Sequence, residues 1–527
     1  MHNTYPHQNA GELRLKSRLC LTILLMCMTV APAWSAPQEP CEERPNVILI
    51  FADDLGAGML GSYGQQIIKT PHIDRLATEG MKFNNYYGAT FCAPSRWSLA
   101  TGMHDGRMGG WAHNRAGLAI LRDKGEITEK EYQKRFEKMK QDARPIAQGE
   151  VFLGQIGQLA GYRTAQFGKL DSGFMTWHER VKRFGWDYYD GFYDHQRCHG
   201  FYPPYLWRNG ERYDLTGNHD PACGKYLEIE DLPAGSGGET HSQIVMIEAV
   251  LKYIRENKDQ PFFLYHPTQL PHAELGIPEV HADFAEDERL TYEEQKYASM
   301  IRMLDDHVGL ILNELVAQGI DDNTIVFFTS DNGHCAYYSD VYDSFKYQKL
   351  ADGTNFDFED NKWRGSRAGD VFDGGGGLAG AKRSGYQGGI ICPMLVRWPG
   401  KILPGTQTEV LSTHYDFLAT LADIGGVSVP KGKDSISYLP TLLGKPQKTA
   451  HDYIVIQNQR TYMGGDTVVL RDGWKLVAIG KKGDRYQLYN ILNDPMEKQE
   501  LSAQYPEKVE TLRALLKREI DSERPDL

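Results

Sequence analysis

The feature that most limits the fold is a recurring unit. A short, uninterrupted apolar run stops at a charged or amide residue, and a helical pattern follows. From Asn46 to Ala52, the residues Val47, Ile48, Leu49, Ile50 and Phe51 follow one another without a polar break. Such a run reads as a strand buried on both faces, which is the habit of parallel sheets covered by helices above and below. It ends at Asp53-Asp54, and Ile73, Leu76 and Ala77 then take helix-like spacing up to Gly80. Gly161 to Phe167, although it carries Arg163, Thr164 and Gln166, is a further strand candidate that stops at Gly168-Lys169, and the apolar unit recurs at Pro261 to His266, shortly before His272. It recurs again at Thr324 to Thr329, which stops at Ser330-Asp331-Asn332-Gly333. Ahead of that last strand, Met300, Ile301, Leu304, Val308, Ile311, Leu312 and Leu315 keep the spacing of an amphipathic helix, stopped at Gly319. Strands alternating with helices predict an open α/β sheet with helices on both faces.

In such sheets, ligands bind beyond the carboxyl ends of the strands. Asp53, Asp54, Lys169, His272, Asp331 and Asn332 all follow strands closely, so the topology predicts that they share one crevice although they are far apart in sequence.

With 527 residues the chain exceeds one ordinary core. Residues 1–35 read as a signal peptide: Arg14, Lys16 and Arg18 precede the apolar run Leu19 to Val30, and Ala33 and Ser35 stand before a cut at Ala36. The mature protein is therefore expected to be secreted or periplasmic, with no membrane span. Residues 36–448 are expected to form the catalytic domain. Residues 449–527 are expected to form a smaller α+β subdomain, with a hairpin of Thr467 to Leu470 and Trp474 to Val477 around Asp472-Gly473 and a closing helix carrying Val509, Leu512, Leu515 and Leu516. The Gly- and Asp-rich stretch from Ser344 to Gly380 reads as a site wall, a lid or an exposed insertion.

The formal charge is −12, and loss of residues 1–35 (three basic, one acidic) makes it −14. That balance gives no global attraction for nucleic acid, so positive charge for an anionic substrate must be local. Six cysteines follow residue 35, too few for a disulfide scaffold; Cys198 and Cys223 are a candidate pair whose bonding spacing alone does not decide.

Residues 92–102 read Cys-Ala-Pro-Ser-Arg-Trp-Ser-Leu-Ala-Thr-Gly. This stretch resembles the full signature of the type I, formylglycine-dependent sulfatases, of the arylsulfatase A-like branch that includes bacterial carbohydrate sulfatases. The resemblance runs from about Arg44 to Glu500 and implies an alkaline-phosphatase-like large mixed sheet. It implies oxidation of Cys92 to formylglycine (3-oxoalanine) by a maturation enzyme. The hydrated aldehyde then acts as nucleophile and later expels sulfate by re-forming the carbonyl. Asp53, Asp54, Asp331 and Asn332 match the metal ligands, with residue 92 completing the shell. Such an all-oxygen set suits a hard divalent cation, and the resemblance favours Ca2+ over Mg2+. Arg96 matches the arginine that holds residue 92, Lys169 and Lys382 match two sulfate-binding lysines, and His272 matches the histidine at the ester oxygen, expected to be general acid. The implied substrate is a sulfated saccharide or another small sulfate ester.

The chain departs from that pattern in places. Relatives commonly carry histidine two residues after the Lys169 position, where this chain has Asp171; His199 and His113 are the candidates to fill the space. A Glu-Gly-Gly-x-Arg-x-Pro segment is replaced by Gln387-Gly388-Gly389-Ile390-Ile391-Cys392-Pro393, consistent with loss of a structural ion pair. His334 is a candidate for the substrate pocket or for a structural role. The aromatic stretch 191–210 suits sugar stacking or loop packing. The competing functions are a phosphoester or phosphonate hydrolase of the same superfamily, and a glycan-binding protein with Cys92 unmodified.

Overall fold

The computed structural model describes residues 44–107, 117–142, 149–170, 175–221, 237–338, 369–457, 465–480 and 484–522. The expected signal peptide, Cys41, His113, Asp171, Cys223 and most of the 344–380 stretch lie outside the described residues.

The strands, in chain order, are β1 (Asn46–Ala52), β2 (Met81–Phe83), β3 (Tyr86–Tyr87), β4 (Arg163–Gly168), β5 (Tyr188–Gly191), β6 (Tyr205–Arg208), β7 (Glu211–Asp214) and β8 (Phe262–Pro267). They continue with β9 (Thr324–Ser330), β10 (Met394–Arg397), β11 (Thr406–Thr408), β12 (Ser412–Thr413), β13 (Tyr453–Ile456), β14 (Thr467–Leu470), β15 (Trp474–Ile479) and β16 (Arg485–Asn490). Ten of them form one mixed sheet in the order β11-β2-β10-β9-β1-β8-β4-β5-β6-β7. Its centre, β9-β1-β8-β4-β5, is parallel throughout. Antiparallel pairs flank that centre on both sides.

The apolar run of β1 divides between two cores. Ile48, Ile50 and Ala52 pack on one face with the helices Pro71–Thr78, Ser242–Asn257 and Tyr292–Ala317. Val47, Leu49 and Phe51 pack on the other with Cys92–Thr101, Leu153–Leu159 and Asp416–Ile424. Successive side chains of a strand point to opposite faces, so a strand covered on both must be apolar throughout. The sequence reading of β1, β8 and β9 rests on this. Thr291 closes the N-terminus of the long helix by accepting from Glu294 N, whose side chain bonds Thr291 N in return.

Strands β13 to β16 form a separate antiparallel sheet. Val455, Val468, Leu476 and Leu488 face Leu512 and Leu516 of the helix Pro506–Asp521. The opposite face, with Ile454, Val469 and Val477, packs on Tyr87, Tyr386 and Ile390, so it shares a core with the larger body. Gln387 lies in this seam. Its amide oxygen accepts from Lys475 Nζ (3.2 Å) and its backbone N–H donates to Glu497 (2.8 Å), while Lys475 and Glu497 form a fully buried ion pair at 2.7 Å. Among the described residues no helix is long and apolar enough to cross a membrane.

Candidate active site

Parallel register brings the strand ends together. Ala52 of β1 pairs with Ser330 of β9, so Asp53 and Asp331 leave adjacent strands side by side. Lys169 leaves β4, and His272 follows β8, on the other side of β1. Asp54 takes a left-handed backbone conformation (φ 64°), which turns the chain sharply at the strand end. Its N–H then donates to Asp331 Oδ1 at 2.9 Å. A Cβ at Gly56 would lie 2.2 Å from the Gly374 carbonyl oxygen, so glycine is what lets the loop after Asp54 lie against residues 370–377. The described end of the Gly-rich stretch is thus a wall behind the site.

Cys92 opens the helix Cys92–Thr101, and Arg96 stands one turn further on the same face. Ligand atoms of Asp53, Cys92 and Asp331 lie within 4.8 Å of one another. Arg96 donates to Asp331 Oδ2 (2.8 Å) and lies 3.6 Å from Asp53 Oδ1. Its Nε and Nη1 find no acceptor among the described residues. Lys169 pairs with Asp53 Oδ2, and Lys382 with Asp54 Oδ2 at 2.6 Å. Asn332 Nδ2 donates to Asp54 Oδ1 (2.8 Å). His272 Nε2 lies 3.3 Å from both Lys382 Nζ and Asp54 Oδ2. All of these side chains are buried.

Three carboxylates (Asp53, Asp54, Asp331) face three fixed cations (Arg96, Lys169, Lys382), so the cluster is formally neutral. Burial raises the Asp53 carboxyl, but Lys169, His272 and Arg96 outweigh it and hold the pKa well below the usual range. Asp331 goes the other way: burial, and then Asp53, push it up to about 8. The positive groups present therefore do not satisfy all three acids. Asp53 Oδ1 and Asn332 Oδ1 are buried and find no hydrogen-bond donor among the described residues, in a donor set made of oxygen. These residues fit a hard divalent cation. A doubly charged ion would leave the cluster at +2, suited to an anionic ester inside an acidic protein. Burial, and then Lys382, lower the His272 pKa to about 4, so its imidazole is neutral at pH 7.

Two residues outside the expected set belong to the cluster or its frame. Tyr337 donates to Asp54 Oδ2 and accepts from Lys382 Nζ at 3.1 Å. Its nearness in sequence to Asp331-Asn332 is the one signal that pointed to it. His414 sets its two ring nitrogens against the carbonyls of Ser330 (2.7 Å) and Tyr87 (3.0 Å) and donates to one of them, bracing the end of β9.

The histidines separate. His199 stacks face to face on His272, with centroids 4.2 Å apart and planes 5° apart, and its ring nitrogens reach the Asp53 neighbourhood. His334 is fully buried behind the ligands, 3.0 Å from Tyr338 Oη and 3.5 Å from Asp370. Cys198 is buried, with its thiol 3.0 Å from the His195 carbonyl, while Cys223, the partner considered for it, lies outside the described residues.

A buried oxygen-donor cluster at the carboxyl ends of a mixed α/β sheet, ringed by Arg96, Lys169 and Lys382 and fronted by residue 92, defines a hydrolase of anionic esters. Residues 45–427 match the sulfatase family model. The chain belongs to the sulfatase family and is a sulfuric ester hydrolase. Residues 380–526 match the C-terminal model of N-sulphoglucosamine sulphohydrolase. The chain is similar to an N-acetylgalactosamine-6-O-sulfatase of Bacteroides thetaiotaomicron, with 29% identity over 90% of this chain and 93% of that one. It is also 29% identical to the human N-acetylgalactosamine-6-sulfatase, over 78% of this chain and 67% of that protein. A solved Bacteroides thetaiotaomicron structure, described under the metabolism of multiple glycosaminoglycans, superposes with TM-score 0.63 and 26% identity. It covers 91% of this chain and all of its own.

Proposed function

We propose that the protein removes sulfate from a saccharide, using residue 92 as nucleophile after oxidation to formylglycine by a maturation enzyme. The observation that carries this reading is the meeting of Cys92, Asp53 and Asp331 within 4.8 Å, in reach of two lysines and a histidine. Asp53, Asp54, Asp331 and Asn332 would hold one Ca2+. The ion supplies charge to offset the sulfate and to acidify an oxygen on residue 92. Oxidised and hydrated, residue 92 supplies one hydroxyl to attack sulfur and a second to release sulfate as the aldehyde returns.

The other residues position and move protons. Arg96, on the same helical face, holds the oxygens of residue 92. Lys169 and Lys382 bind sulfate oxygens. His272, neutral at rest, takes a proton at Nε2 from the Lys382 ammonium 3.3 Å away and passes it to the departing alcohol oxygen, after which solvent restores the ammonium. His199 contacts the substrate from the position stacked on His272. His334 orders the wall through Tyr338 and Asp370. Residues 36–448 carry this chemistry, residues 449–527 form the subdomain that seals one side, and residues 1–35 direct secretion or periplasmic export. Relatives named for N-acetylgalactosamine 6-sulfate make that sugar the first substrate to test.

The test pairs the intact mass of the peptide containing residue 92, from protein made in its native host, with rates on sulfate and phosphate esters of one alcohol. Aldehyde or hydrate with preference for the sulfate ester is expected. Thiol alone, or a phosphate preference, would overturn the reading.

A further inference from the structure

A cleft of about 250 Å3 lies apart from the catalytic cluster, between the helices Leu118–Asp123 and Glu129–Asp142 on one side and β5–β6 on the other. Phe136, Trp177, Tyr193 and Trp207 line it, and each is only partly buried. Tyr193 and Trp207 stack at 4.7 Å with planes 9° apart, and Phe136 meets Trp177 edge-on at 6.0 Å. Four partly buried aromatic rings gathered in a concavity are the lining of a ligand site rather than a solvated surface.

The polar side of the cleft is fixed. Arg122 donates to Asp123 (2.8 Å) and to Tyr205 Oη (2.7 Å), Tyr205 donates to Asp123 (2.8 Å), and the buried Arg197 pairs with Asp123. Asp194 accepts from the backbone N–H groups of Gly117 (2.9 Å) and Gln196 (2.9 Å). Both arginines that line the cleft thus have Asp123 as their counter-ion. Flat apolar faces beside oriented donors and acceptors suit a pyranose, which presents C–H faces and a rim of hydroxyls.

Position links the cleft to the chemistry. Arg197 lines the cleft, while His199, two residues on in the same turn, stacks on His272. Two residues reach at most about 7 Å, so the walls of the two sites belong to one short turn.

We infer that this cleft is a subsite for an unsulfated sugar ring of the substrate chain, held next to the ring whose sulfate is removed. The inference rests on the saccharide reading above. It makes the preferred substrate an oligosaccharide rather than a single sulfated sugar.

The test has two arms. A sulfate-free tetrasaccharide containing N-acetylgalactosamine is titrated calorimetrically into wild type, Trp207→Ala and Trp177→Ala, with circular dichroism to verify folding. Binding by wild type and a loss of tenfold or more in either folded variant is expected. Absent binding, or equal affinity in all three, overturns the subsite. In the second arm, kcat/KM for a sulfated tetrasaccharide is divided by kcat/KM for the matching sulfated monosaccharide, a ratio that does not depend on the fraction of active enzyme. The ratio should exceed one in wild type and fall about tenfold in Trp207→Ala; a ratio that stays at the wild-type value overturns the inference. Loss of all saccharide turnover with aryl sulfate hydrolysis intact would instead strike the saccharide reading, and the titration would still decide the cleft.

Discussion

Tyr337→Phe isolates one hydrogen bond to Asp54, a proposed metal ligand. Asp54 Oδ1 is held by Asn332 Nδ2 at 2.8 Å, and Oδ2 by the Tyr337 hydroxyl and by Lys382 Nζ at 2.6 Å. Phenylalanine keeps the ring against His272, whose centroid lies 5.0 Å away, and so opens no cavity. What disappears is one of three side-chain donors on Asp54 and an acceptor 3.1 Å from Lys382 Nζ. A hydrogen bond to a charged group contributes about 1.5–3 kcal/mol. At about 1.4 kcal/mol per decade, that is roughly 10- to 150-fold, close to what loss of a residue orienting a metal ligand costs in affinity. Calorimetric titration of Ca2+ into chelator-stripped protein should show this loss, and initial rates a similar fall in kcat/KM. Tyr338→Phe is the control, because its hydroxyl bonds Asp370 (2.6 Å) and His334 (3.0 Å) but no ligand. It should lower stability and change Ca2+ affinity by no more than about twofold. Unchanged affinity in Tyr337→Phe, or equal losses in both variants, would refute the reasoning.

Cys92→Ala should cut kcat by on the order of 10^4-fold or more while changing urea stability by less than about 1 kcal/mol, because it deletes one atom at the start of a helix. Ca2+ at a hundred times its Kd should add about 2.7 kcal/mol to unfolding free energy, and Asp331→Ala should remove that gain; an equal gain in the variant would exclude Asp331 as a ligand. Lys475→Met removes the cation 2.7 Å from the buried Glu497 carboxylate in the seam with the C-terminal sheet, and should cost about 3–5 kcal/mol by urea unfolding. Adding Glu497→Gln, which keeps an acceptor for Gln387 N–H, should recover most of it; no recovery would mean that packing, not charge, dominates there.

The sequence was legible where a local rule and the tertiary structure ask for the same residue. An apolar run without alternation is required by a strand covered on both faces, and β1, β8 and β9 carry such runs. Cys92 and Arg96 read as partners because four residues make one helical turn. The polar residues after β1, β9, β4 and β8 pointed to a crevice because open parallel sheets expose ligand sites there. The chain itself therefore determined the large sheet, its helical cover and most of the candidate site. Tertiary structure alone decided which distant side chains complete that group. Tyr337, near Asp331 in sequence, enters through its contact with Asp54, and His199, one of two candidates in the sequence, through its stack on His272. His334 was undecided in the sequence because burial is a property of what packs around a residue; here Asp370 and Tyr338 enclose it. The aromatic stretch 191–210 was equally undecided, and folding splits it, with Phe201 in a core while Tyr193 and Trp207 line a cleft. Periodicity and turn chemistry act over a few residues and survive in the linear chain. Charge balance and concavity are sums over segments hundreds of residues apart, and exist only once those segments meet.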